Sequence, residues 1–124
     1  MKFKEALPAS CPPNHALGGA CESAFRLIET AKPLATDFAS SAAKKLPKPL
    51  KVDDCRWASC SLFATIELLR TKQKVFPKLR KCNFYVEIKI PANAGRHVTE
   101  NGHIDFWMFT SFDPLAVITK IAAV

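Results

Sequence analysis

Residues 59–90, SCSLFATIELLRTKQKVFPKLRKCNFYVEIKI, constrain most tightly what this chain can fold into. Phe84, Val86, Ile88 and Ile90 are apolar at every second position, Tyr85, Glu87 and Lys89 lie between them, and Pro91 ends the run. A period of two is that of a strand with one buried face and one wet face. Upstream, Thr65 suits an N-cap, Glu67 falls in the first helical turn, and Ile66, Leu68 and Leu69 offer an apolar stripe. Lys72 and Lys74 come where positive charge complements the C-terminal end of a helix dipole, and Pro77 closes the segment. With an apolar run at 59–63 in front, the unit reads strand, helix, strand.

The flanking sequence extends this plan. AFRLI at 24–28 predicts a short strand with Ala24, Arg26 and Ile28 on one face, and Arg26 is the first polar residue that needs an explanation. An arginine inside an apolar run either faces solvent or reaches an anion in a cleft. Thr36 can cap a helix running to about Lys45, with Asp37 in its first turn and Phe38, Ala42 and Leu46 facing inward, before Pro47 and Pro49 break it. Residues 91–102 read as a polar connection and 103–109, HIDFWMF, as a strand with aromatics on both sides. Residues 115–124 suit a last strand, with a short helix as the alternative. Residues 1–20 hold Pro8, Pro12, Pro13, Gly18 and Gly19 without a sustained period and predict an irregular or poorly ordered arm. The expected architecture is a single α+β domain over 21–124, with a mixed or antiparallel sheet of about five strands and two helices.

The hydrophobic fraction of 48% is that of a globular protein, and no apolar run approaches the roughly 20 residues that span a bilayer. Residues 1–19 carry lysines without a continuous apolar stretch, which argues against a secretory signal and for no membrane association. Five scattered cysteines, Cys11, Cys21, Cys55, Cys60 and Cys82, read as free thiols of a cytoplasmic protein. Lys and Arg total 18 against 11 Asp and Glu, a formal charge of +7. The excess gathers at Lys44, Lys45, Lys48 and Lys51, and again at Arg70, Lys72, Lys74, Lys78, Arg80 and Lys81. Such a surface attracts nucleic acid, nucleotide phosphates or an acidic protein, or serves only as a solvated face.

Chemistry is less plainly written. His15, His97 and His103 form no close pair and the cysteines lack zinc-ligand spacing, so no metal is expected. The four glycines, Gly18, Gly19, Gly95 and Gly102, make neither a Walker loop nor a dinucleotide turn. Cys60 reads as a small buried thiol rather than a nucleophile, and Trp57 as a packing anchor. There remains a constellation of Arg26, Ser61 and a late acid, Asp105 or Glu100.

Two resemblances bear on it. FRLI, KPLATDFAS at 32–40, CRWASCSLF at 55–63 and GHIDFW at 102–107 together resemble an uncharacterised family of small bacterial proteins. More loosely, Arg26 on a first strand, a serine strand at Ser59, Cys60 and Ser61, and the strand, helix, strand unit are similar to the arginine/serine/glutamate branch of the ADP-ribosyltransferase fold. That resemblance implies an NAD-handling domain. Arg26 would clamp pyrophosphate, Ser61 would donate in the pocket, Asp105 or Glu100 would supply the acid, and His103 and Trp107 would shape the wall. The E-x-E ending of that branch is absent, and Asp105 is a methylene shorter than the glutamate it would replace. The alternative is a non-enzymatic interaction module, an inhibitor, immunity or accessory protein, which meets an acidic protein or nucleic acid through Lys74, Lys78, Arg80 and Lys81.

Overall fold

The alternating run of residues 84–90 forms a strand whose Val86, Ile88 and Ile90 are buried, and around it six strands make one antiparallel sheet. The computed structural model describes residues 2–124. In chain order the strands are β1 (Cys21–Ile28), β2 (Cys60–Phe63), β3 (Phe84–Ile90), β4 (Gly95–Glu100), β5 (His103–Met108) and β6 (Ile118–Ala123), arranged β4-β5-β2-β1-β3-β6. Two helices accompany the sheet, α1 (Asp54–Trp57) and α2 (Ile66–Val75), so the α+β expectation holds with six strands in place of about five. Because β2 and β3 both pair antiparallel with β1, they run parallel to each other, and α2 is the crossover that carries the chain over β1 between them.

Each face of the sheet buries its own cluster. One holds Ala24, Ile28, Cys60, Leu62, Val86, Ile88, Ile90, Ile104 and Phe106 under Phe38 and Phe112. On the other, Leu27, Phe63 and Tyr85 pack beneath α2 through Leu69, which is fully buried. Thr65 caps α2 by accepting a hydrogen bond from the Leu68 N–H at 3.2 Å, and Lys72 and Lys74 occupy its last turn, as their positions predicted.

Three expectations need correction. The helix expected at 36–45 is a 3-10 turn at Ala35–Phe38, because Ala39 is extended at ψ 147° and the Ser40 N–H that would close the next turn donates to the Glu5 carboxylate instead. The second helix instead lies at Asp54–Trp57, started by the Asp53 carboxylate on the N–H groups of Cys55 and Arg56. The connection expected at 91–102 contains β4, whose only aliphatic side chain is Val98 and which therefore shows no apolar alternation. Last, not all five cysteines are free: Cys11 and Cys55 form a disulfide with Cα atoms 5.4 Å apart, while Cys21, Cys60 and Cys82 are thiols.

The arm is irregular but anchored. Lys4 donates its N–H to the Met108 carbonyl at 2.9 Å, Thr110 donates to Lys2 at 2.8 Å, and Leu17 exchanges backbone hydrogen bonds with His97. The Glu5 carboxylate accepts from both the backbone N–H and the hydroxyl of buried Ser40. Among the described residues no helix is long and apolar enough to cross a membrane.

Candidate functional site

Arg26 and Ser61 take their positions from sheet register. Phe25 pairs with Phe63 and Ser61 with Asp105, so Phe25, Ser61, Phe63 and Asp105 share the face that α2 partly covers. Arg26, one residue on from Phe25, projects from the opposite face. Its guanidinium is taken up by backbone: Nε donates to the Asp37 carbonyl at 2.9 Å, Nη1 to Ser61 at 2.7 Å and Nη2 to Ala39 at 3.4 Å. Ser61 and Asp105 are thus brought side by side, while Arg26 is separated from both side chains by the sheet and bonds the Ser61 backbone. The three do not line one cleft.

Asp105 is the centre of a different group. It is buried at 7% exposure, and its Oδ2 accepts from Arg56 Nε at 3.1 Å. The Ser59 hydroxyl lies 3.2 Å from Asp105 Oδ1 and 2.7 Å from the Arg56 carbonyl, with one proton to share between them. His103 Nδ1 sits 3.4 Å from the same Oδ1. Burial pushes His103 below the ordinary imidazole value; Asp105 opposes that shift and Arg56 adds to it. The neutral ring makes a polar contact there rather than a salt bridge. Trp107 donates its indole N–H to the Cys55 carbonyl at 3.0 Å, which fastens the disulfide-bearing turn to β5. Asp105, His103 and Trp107 could be picked out from the sequence; their partner Arg56 could not, and Ser59 was visible only as part of the serine strand, both lying just ahead of β2.

Beside this group a cleft of about 500 Å³ opens over β4 and β5, between the arm at 8–15 and the start of α1. Asp105 and Trp107 belong to its floor with Val98 and Glu100, and Arg56 to its wall. A second hollow of about 400 Å³ on the other face is lined mainly by Phe3, Leu7, Phe38, Phe106 and Met108, with Cys60 beneath. Burial raises the thiol pKa of Cys60, and of Cys82, which keeps both protonated and unreactive near neutral pH. Among the described residues, no three His, Cys, Asp or Glu side chains group as a metal would require.

The basic residues expected to bind a partner are exposed along one stretch of chain. Arg70 and Lys74 face outward from α2, and Lys78, Arg80 and Lys81 follow on the 3-10 turn Pro77–Leu79 and beyond it. Arg80 Nε reaches the Lys74 carbonyl at 3.4 Å, and Lys72 Nζ lies 5.2 Å from the centre of the Phe76 ring. Among the described residues the one ion pair of these cations joins Lys81 to Glu29 at 3.9 Å, with both side chains largely in water, where such pairs contribute little. Val75 and Phe76, 60% and 47% exposed, sit among the cations. The chain matches no family model, no curated protein and no solved structure.

Proposed function

We propose that the protein is a non-enzymatic interaction module that docks an acidic protein partner through the face formed by α2 and the following turn. The observation that carries this reading is the exposed pair Val75 and Phe76, with Lys72 Nζ 5.2 Å from the centre of the Phe76 ring and exposed Arg70, Lys74, Lys78, Arg80 and Lys81 along the same stretch of chain. A phosphate backbone rewards the cations but offers an exposed valine little to bury against. A protein surface rewards both, and aromatic and arginine side chains are the usual anchors of such contacts. Glu67 is the only acid between residues 66 and 81, so the face opposes binding to its own like and favours acidic surfaces. The disulfide supports work in an oxidising compartment rather than in a reducing cytoplasm.

The test compares three labelled probes by fluorescence anisotropy at low and physiological salt: poly-glutamate, a random 20-mer of single-stranded DNA, and an acidic peptide with leucines interspersed. The peptide should bind tightest and keep most of its affinity as salt rises. Replacing Lys74, Lys78, Arg80 and Lys81 by Gln should weaken it at least tenfold, and Phe76→Ala should remove its advantage over poly-glutamate. Preference for the DNA, with a steep salt slope, would replace the protein-partner reading by nucleic-acid binding. An unchanged affinity in the Gln variant would reject the surface altogether.

A further inference from the structure

The charges around the 500 Å³ cleft do not contribute equally. Asp53 is committed to the N–H groups of Cys55 and Arg56, at 3.3 and 3.4 Å. Asp54 pairs with Lys48 at 3.4 Å, and Asp105 is buried on Arg56 Nε. Besides the exposed His15, two groups are left over among the described residues. One is the terminal fork of Arg56: Asp105 holds Nε, Nη1 and Nη2 bond no described residue, and the side chain is 59% exposed. The other is the carboxylate of Glu100, exposed on β4 without an ion-pair or hydrogen-bond partner.

Both groups line the one cleft, Arg56 from α1 and Glu100 from β4. Val98 lies opposite Asp105 and Glu100 opposite His103, so Glu100 is the diagonal neighbour of the residue that orients Arg56. A small molecule with a carboxylate at one end and an ammonium at the other offers a charge-assisted hydrogen bond to each. The remaining lining is mixed, with apolar Pro8, Ala9, Pro13, Val98 and Trp107 beside Ser10 and His15. The volume falls within the several hundred Å³ usual for small-molecule sites.

We propose that this cleft binds a free α-amino acid, with its carboxylate on the Arg56 fork, its ammonium on Glu100 and its side chain against the apolar part of the lining. The orientation is preset, because Asp105 fixes the guanidinium before any ligand arrives and Ser59 fixes Asp105. The site is separate from the basic face and does not depend on it.

The experiment is a titration of the intact, disulfide-bonded protein with each of the common L-amino acids, and with acetate, methylamine and inorganic phosphate. Binding is followed by amide and indole chemical shifts of the labelled protein. At least one amino acid should bind, with shifts centred on Arg56, Glu100 and the Trp107 indole, and at least tenfold more tightly than acetate or methylamine. Glu100→Gln, an exposed change that leaves packing untouched, should weaken binding at least tenfold, as should Arg56→Lys, which keeps the charge but loses the fork. The proposal is overturned if no amino acid binds at millimolar concentration. It is equally overturned if phosphate or acetate matches the best amino acid and Glu100→Gln has no effect, since the cleft would then be a simple anion site. Shifts that map to α2 would overturn it too.

Discussion

A guanidinium offers five N–H donors in a planar fork, and Arg26 directs them at carbonyls of three residues in two separate segments. Residues 37 and 39 belong to the loop over one face of the sheet, and residue 61 to the strand beside β1. Arg26 is therefore the peg that fixes that loop. Arg26→Gln should cost about 2–3 kcal/mol, because hydrogen bonds from a charged donor are among the stronger ones and the half-buried carbonyls lose their partner. Urea denaturation would show it, and a loss below about 0.5 kcal/mol would mean that water takes over the carbonyls as readily as the arginine. That Arg26 needed an explanation was legible from its place among Phe25, Leu27 and Ile28. What it binds was not, since backbone carbonyls have no sequence signature and these lie 11, 13 and 35 residues away. The same holds for Asp105: its strand could be read, but its partners Arg56 and Ser59 come from another element across the β2–β5 pairing.

Among elements, the β4–β5 hairpin shows how a strand can hide. Its turn is the two residues Asn101 and Gly102, at φ 52° and 79°, the left-handed pair that suits the twist of antiparallel strands. The Asn-Gly pair was a hairpin signal in plain view, but the preceding strand lacks the apolar alternation by which β3 was recognised. α2, by contrast, was legible from its cap to its closing proline because local signals alone set both ends. Two glycines of the hairpin should respond very differently to alanine. At Gly102 the new methyl would meet the movable end of Leu68 at 2.9 Å in a left-handed backbone, and the loss should be about 1–2 kcal/mol. At Gly95 it would lie 2.1 Å from the Trp107 carbonyl oxygen and 2.9 Å from the Met108 Cα, backbone that cannot yield without breaking the pairing. Thermal unfolding should therefore rank Gly95→Ala as much the more damaging, and equal losses would contradict the close approach of β4 to β5.

For the whole molecule, the Cys11–Cys55 bond closes a separation of 44 residues and joins the arm to the start of α1. A cross-link of that span restricts the unfolded chain by up to about 4 kcal/mol. The Cys11→Ser, Cys55→Ser double variant should lose about 2–4 kcal/mol while keeping the sheet, because Lys4, Glu5 and Leu17 hold the arm independently. Loss of the Leu17–His97 hydrogen bonds in hydrogen exchange of that variant would show instead that the disulfide alone keeps the arm in place. Cysteine count gave no hint of this pairing, since Cys11 and Cys55 are close only once the arm has wrapped the sheet. That wrapping also leaves the two ends of the sheet unequal. Leu17 already occupies the middle of the β4 border, where His97 gives and accepts its backbone hydrogen bonds, whereas among the described residues β6 has no strand on its outer side. A strand added by another chain therefore finds β6 the more open border, and two copies pairing there about a two-fold axis would close on each other rather than propagate into a fibre.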